Sequence, residues 1–544
     1  MQLLMENTKL QPLPLPGSEF SSLRKVGKIY VDKTRLIYSL CEIGGSQVFL
    51  ARPRRFGKSL LVSTFESLFR YGLRDFHGLA IEELWNEEKI HRVVHLDFSG
   101  ARDFSDIAQF ERFFSDILIG KFGAVGFEHK PAGINLIAQI GLWMDAQPIN
   151  SLVLLIDEYD APLAACLHRP ELFSQVQAAL SRFFLMIKEH ARCLRFFFMT
   201  GVTKLSNTGI FSGFNNLEDI SLQAEFGTLL GYTEEEILAY FGPYLERAAQ
   251  ELGLTERALL ESLRANYDGF CFDRKASTHV YCPWSVLNFL DNPGEGFQNY
   301  WYASGGQPSV LMNYLQNHQL ENPTAFDEPL LLETDVLEAA RHYDALSLPA
   351  LLTQAGYLTI KDVPAEGYLS LGYPNREVRR SMARLYAGEL LHGADRRRIE
   401  ILKLKQALQE GDLKETVRVL NLVFNAIDCA RYPVTDEAAC RSFLQVLFIG
   451  AAMLPQVEVH TAHGRSDLEL EVGDQCWVFE IKFARKPQEA DALLAEGLRQ
   501  MQSREYGQTA HGLTLVRAVL VFDGAKRAFS RFALADGPED QPGN

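Results

Sequence analysis

At 544 residues the chain is too long for one typical core, so two to four domains are expected. A hydrophobic share of 47% with 23% charged residues excludes a disordered or fibrous chain. The net charge of −15 argues against wholesale electrostatic capture of nucleic acid, leaving that task to local basic patches. Two basic clusters are present, Arg52-Pro53-Arg54-Arg55 and Arg396-Arg397-Arg398 with Lys403 and Lys405. Runs of this kind are usually solvated faces, so neither is evidence alone.

The eight cysteines are scattered without C-x-x-C spacing, which suits reduced thiols and disfavours a structural zinc site. The thirteen histidines form no H-E-x-x-H. The start, "MQLLMENTKLQPLPLPGSEF", lacks a basic stretch followed by an apolar run, and no segment has the length of a membrane span. The expectation is a soluble, cytoplasmic protein.

In chain order, "QVFLA" (47–51) reads as a buried parallel strand, and the helical spacing of Leu60, Leu61, Thr64, Phe65, Leu68 and Phe69 starts a helix near Lys58. Between them "RPRRFGKS" supplies Gly57, Lys58 and Ser59 for the end of G-x-x-x-x-G-K-[ST]. Strand, loop and helix are the context that motif needs. Lys58 would reach the β- and γ-phosphates, and the Ser59 hydroxyl would bind Mg2+. Arg52 stands where the first glycine belongs and Pro53 removes a donor, so Arg54 or Arg55 is expected to restore positive charge. A basic helix start with a chance G-K-S is the bland alternative.

"RVVHLDFSG" (92–100) is a second strand, and "SLVLLIDEYDAPL" (151–163) a third that ends in Asp157 and Glu158. Acids at the end of a buried parallel strand lie where α/β sheets bind ligands. Asp157 suits a Mg2+-water ligand and Glu158 the group that orients an attacking water, although a helix cap would read the same way. "LRFFFMTGVTKLS" (194–206) ends a fourth strand in Thr200, a γ-phosphate sensor or a structural threonine. Four strands alternating with helices predict a doubly wound sheet. From about 230 to 390 the pattern is mainly helical, with aromatic loops such as "ANYDGFCFD" and "VYCPWSVLNFL".

In "GRSDLELEVGDQCWVFEIKFAR" (464–485), alternating runs flank Gly473-Asp474, a two-residue hairpin turn. Pairing Val472 with Gln475 sets Asp467 opposite Glu480 and puts Leu468, Leu470, Trp477, Phe479 and Ile481 on one face. Asp467, Glu469, Glu471, Glu480 and Lys482 take the other. Like charges across a sheet repel unless a divalent metal lies between them, and Lys482 shares their face. This reads as a metal-dependent phosphodiester-cleaving site, with a solvated acidic hairpin as the alternative. A helix over 435–454 with an acid at its start precedes the hairpin. A second, over 490–507, carries Gln500, Arg504 and Tyr506.

Together "IYVDKTRLIYSL", "FLARPRRFGKSLLVSTFESLF", "HLDFSG", "LLIDEYDAPL", "TGVTKLS", "NYDGFCF", "VYCPWSVLNFL", "GYLTI", "LGYPNREVRRSM", "GRSDLELEV", "FEIKF" and "QMQSREYG" resemble a bacterial family. Its members are predicted AAA-ATPase-like proteins with a C-terminal PD-(D/E)XK nuclease-superfamily domain, and the likeness runs from about residue 12 to 525. The resemblance implies an α/β fold: a P-loop NTPase with a doubly wound parallel sheet, a helical middle and a restriction-endonuclease-like C-terminal domain. Expected divisions are an arm (1–22), the ATPase domain (23–230), a helical lid (231–395), a connector (396–430), the nuclease-like domain (431–530) and a tail (531–544). The family's loop has the same R-P-R-R-F-G-K-S form, and Lys58, Ser59, Asp157 and Glu158 carry over to its nucleotide site. Asp467, Glu480 and Lys482 match the nuclease signature, Glu437 the acid of the preceding helix and Gln500 the glutamine of the following one. "CRSF" replaces the usual aromatic-His-Ser after that acid, which sets Glu437 apart.

ATP is the implied nucleotide, with Mg2+, or Mn2+ at the nuclease site, as the metal. DNA is the implied substrate, with RNA and homo-oligomerisation left open. Such a pairing suits defence against foreign DNA or mobile-element biology. A nucleotide-switched signalling or DNA-binding protein with an inactive nuclease fold is the rival class, and an ATPase with a docking module the third.

Overall fold

A computed structural model describes residues 10–14, 17, 19–42, 47–204, 217–303, 326, 328–338, 347–390, 403–425, 427, 433–451, 453, 455–461, 464–504 and 513–535. Arg396 to Arg398, Tyr506, most of the N-terminal arm and the end of the tail lie outside them, as does the side chain of Arg504. Packing divides the chain into two units, residues 1–314 with 329–378, and 315–328 with 379–544. Among the described residues no helix is long and apolar enough to cross a membrane.

The first unit is built on a parallel sheet of β1 (Gln47–Ala51), β2 (Arg92–Asp97), β3 (Leu152–Asp157), β4 (Leu194–Gly201) and β5 (Glu218–Asp219). Its order is β2-β3-β4-β1-β5, so β4 separates the lysine-loop strand from the acid strand. β3 is buried at every residue, as its unbroken apolar run dictates. α1 (Lys58–Tyr71) packs on β2 and β3, and α2 (Ile107–Gly123) on β2. α3 (Leu136–Asp145) and α4 (Pro170–Glu189) pack together beside them.

The helical region contains α5 (Glu234–Leu252), α6 (Glu256–Tyr267) and α7 (Pro283–Asp291) around Phe241, Leu263, Tyr267, Val286 and Phe289. Thr233 and Glu236 form a reciprocal cap at the start of α5. Glu236 also takes the Lys33 ammonium at 2.6 Å, which ties the segment carrying Ile29 and Val31 into the same core. The middle is not all helix. It also holds an antiparallel sheet, β6 (Leu330–Glu333), β7 (Thr359–Ala365) and β8 (Tyr368–Gly372), in the order β6-β8-β7.

The second unit is a mixed five-stranded sheet of β9 (Pro455–Thr461), β10 (Gly464–Val472), β11 (Gln475–Ala484), β12 (Thr514–Asp523) and β13 (Ala528–Leu534). Its order is β13-β12-β11-β10-β9, with β11 and β12 parallel and the other neighbours antiparallel. α8 (Leu413–Phe424) packs on β13, α9 (Glu437–Gly450) on β9 to β11, and α10 (Ala490–Arg504) on β11 to β13. The hairpin has the register read from the turn: Val472 pairs with Gln475, Leu470 with Trp477 and Leu468 with Phe479, with Gly473 at φ +64°. Phe448 of α9 stacks on Phe479 at 5.8 Å. The charged face is also covered, because Met501 of α10 packs with Cys476, Val478 and Val519. A solvated acidic face is therefore ruled out for Glu469, Glu480 and Lys482, all less than 9% exposed.

Candidate functional site

Two clusters form, one in each unit. In the first, the chain leaves β1 through Arg52, and this arginine is the largest departure from the general phosphate loop. It is 1% exposed. Its guanidinium donates to the carbonyls of Ala51, Ser221 and Phe226 and lies 4.4 Å from the Phe272 ring. Burial lowers its pKa to about 9. Arg52 thus anchors the loop from inside. The turning is done later, where Arg55 and Gly57 take φ of +71° and +94°.

Lys58 is buried, and its ammonium donates to the carbonyls of Arg52 and Pro53 at 3.0 and 2.9 Å. Burial lowers its pKa, while Asp157, Asp160 and Glu158 oppose that shift. Ser59 hydrogen-bonds the Asp157 carboxyl, whose pKa burial nevertheless raises. The loop hydroxyl and the strand acid thus meet, although they are about 100 residues apart in sequence. Glu158 stands at φ +49°, its N–H donating to Asp157 Oδ1 at 2.9 Å. Its Oε2 accepts from Arg102 at 2.6 Å. Asp160, buried, instead binds the backbone of Val202 and Thr203 and the Thr203 hydroxyl.

A cavity of about 550 Å³ opens over this loop. Arg54, Arg55, Gly57, Lys58, Ser59 and Glu158 line it, together with Tyr30, Val31, Arg102, Leu230 and Trp284. The Arg55 guanidinium lies 4.0 Å over the Trp284 ring. The size and the mix of apolar wall with convergent charge suit a small polar ligand. Thr200 does not join it: fully buried, its hydroxyl donates to the Leu50 carbonyl across the β1–β4 pair at 2.7 Å. Its hydroxyl here serves the sheet. The walls from Tyr30, Arg102 and Trp284 escaped the sequence reading; the aromatic "VYCPWSVLNFL" was the available signal.

In the second unit, Asp467 lies beside β11 and accepts from the Ile481 N–H at 2.8 Å. Glu480 is 1% exposed and accepts from Lys482 at 2.8 Å, while its Oε2 is buried with no hydrogen-bond partner among the described residues. Burial and then the Asp467 charge raise its pKa to about 7. Lys482 also donates to Gln500 Oε1 at 3.1 Å, so α10 and β11 hold it jointly. Burial works against the Lys482 charge, but the bond and charge of Glu480 outweigh it and raise the pKa.

Glu437 is placed less tightly. It opens α9 in an exposed position. Its charge acts on Glu480 and Lys482. Among the described residues, no three His, Cys, Asp or Glu side chains converge as a ready-made metal group. Instead Arg441 of "CRSF" reaches Asp467 Oδ1 at 3.4 Å.

The comparisons match both clusters. A family model described as Predicted AAA-ATPase covers residues 14–211, and one described as PD-(D/E)XK nuclease superfamily covers 435–532. A protein of Azotobacter chroococcum mcd 1, described as "Uncharacterized protein in vnfD 5'region", is 30% identical over 485 residues, 86% of this chain and 89% of its own. The chain belongs to the family of predicted AAA-ATPase-like proteins with a C-terminal PD-(D/E)XK nuclease-superfamily domain. In this member of the AAA-ATPase-like family, the first match contains the loop and both strand acids. The second contains Glu437, Asp467, Glu480, Lys482 and Gln500.

Proposed function

We propose that the chain is a nucleotide-gated, metal-dependent phosphodiesterase that cuts DNA. The observation that carries this reading is the buried, partnerless Oε2 of Glu480, on a carboxylate held beside Asp467. A buried oxygen without a partner costs stability, and a bound cation would remove that cost. Carboxylate oxygens are hard donors, so Asp467 and Glu480 fit Mg2+ or Mn2+, with Glu437 near enough for its charge to add to theirs. When bound, the cation supplies Lewis acidity at the scissile phosphate. Lys482, fixed by Glu480 and Gln500, presents positive charge where an attacking water and the phosphate oxygens must be oriented.

In the first unit the cavity is assigned to ATP. Lys58 would exchange the Arg52 and Pro53 carbonyls for the β- and γ-phosphates, and Arg54 and Arg55 would add positive charge. Ser59 and Asp157 already meet and would share Mg2+; Glu158 would orient water. Binding or turnover of ATP would then license the nuclease, a coupling suited to defence or mobile-element biology.

The Arg441–Asp467 contact favours a second reading, in which a fixed cation replaces the metal and the nucleotide switches DNA binding without cleavage. Thermal unfolding with Mg2+, Mn2+ and ATP separates the two. Stabilisation by metal that Asp467→Ala abolishes supports the first, and no response to either metal supports the second. Stabilisation by ATP that persists in Lys58→Ala would remove the loop assignment.

A further inference from the structure

Arg102 belongs to no element of the phosphate loop, yet it faces the same cavity as Lys58, Ser59 and Glu158. It lies just past β2, at the ligand-binding end of the parallel sheet. The turn that carries it is tied to the acid strand: the Phe98 N–H donates to the Asp157 carbonyl at 3.1 Å. The Ala101 and Arg102 N–H groups close the turn on Phe98 and Gly100. The Arg102 side chain is 49% exposed, and its Nη2 contacts Glu158. A guanidinium has five N–H donors, so most of this fork stays available to a ligand.

Two other cavity cations are committed elsewhere. Lys58 is held by two loop carbonyls, and Arg55 lies over Trp284. Arg102 is hydrogen-bonded to the acid assigned to water. An exposed arginine–carboxylate pair contributes little to stability, so the contact breaks at small cost. A terminal phosphate carries more charge than a carboxylate and suits the planar fork. Glu158 itself sits in the left-handed region, a backbone state that persists where its surroundings enforce it.

Resting on the nucleotide reading above, we propose that Arg102 reads the terminal phosphate of a bound nucleoside triphosphate and in doing so releases Glu158 to orient water. Arg102 is then the residue that distinguishes triphosphate from diphosphate, and it acts on water through Glu158. In the hydrolysis it licenses, the water oxygen forms a bond to the γ-phosphorus and the bond to the bridging oxygen breaks. The diphosphate leaves with that oxygen, and the water proton ends on inorganic phosphate.

The test is calorimetric titration of the full chain, in Mg2+, with ADP and a non-hydrolysable ATP analogue. Wild type should bind the analogue more tightly than ADP. Arg102→Ala should lose about tenfold or more of that preference while its ADP affinity changes less than about threefold, and Arg102→Lys should keep part of it. An unchanged ratio in Arg102→Ala overturns the proposal. An unchanged ratio with faster ATP turnover would make Arg102 a restraint on Glu158 only, which also overturns it. If wild type binds neither nucleotide, the nucleotide reading falls, and the proposal with it.

Discussion

The Lys482 ammonium lies 2.8 Å from one oxygen of the Glu480 carboxylate, and both residues are more than nine-tenths buried. Lys482 lowers the Glu480 pKa, but burial and Asp467 prevail and the carboxyl titrates near 7. The folded state therefore holds this proton more tightly than the unfolded chain. In metal-free protein the group favours folding below the ordinary carboxylate range, and that advantage is lost as pH rises through about 7. Metal binding has the opposite slope, because the cation must displace the proton. Metal stabilisation measured by thermal unfolding should be full at pH 8 and fall about tenfold in apparent affinity per pH unit below 7. A flat profile from pH 5.5 to 8 would contradict the assignment. In Lys482→Met the midpoint should move upward.

Restoring the general phosphate-loop consensus should damage this protein. Arg52→Gly removes a buried cation and leaves the carbonyls of Ser221 and Phe226 without their donor. The expected loss is about 2–4 kcal/mol by chemical denaturation. An unchanged midpoint would mean that Arg52 does not anchor the loop.

Gly497 of α10 faces Val519, where a Cβ would lie 2.5 Å from a methyl carbon. Gly497→Ala should cost about 1–3 kcal/mol and push the helix bearing Gln500 away from Lys482. The sign of an effect on the site is a smaller metal-induced rise in melting temperature, beyond the lower melting temperature itself.

Thr200→Val tests the phosphate-sensor expectation. Its hydroxyl is bonded to Leu50, so the change should cost about 1 kcal/mol and leave ATP affinity within twofold. Loss of nucleotide binding would return Thr200 to the phosphates.

Much of this was legible in the sequence because parallel strands buried on both faces are largely apolar runs, as β1, β3 and β4 are. β5 escaped, since Glu218 and Asp219 carry no hydrophobic signal. The β10–β11 register was readable from Gly473-Asp474, which fixes which residues pair. The covering of its charged face was not, although Cys476 and Val478 on that face were a hint. The burial of Arg52 was not legible for a physical reason: arginine is seldom fully buried, and only distant carbonyls make its burial tolerable. The cavity wall brings Tyr30 and Trp284 together across some 250 residues, which no local pattern records.

The most direct test of the central claim is cleavage of a mixed plasmid and single-stranded DNA substrate with Mg2+ or Mn2+, with and without ATP. The proteins to compare are wild type, Asp467→Ala and Lys58→Ala. The account predicts metal-dependent cutting by wild type, none by Asp467→Ala, and loss of the ATP effect in Lys58→Ala. Cutting that survives Asp467→Ala, or no cutting by wild type under any of these conditions, would contradict it.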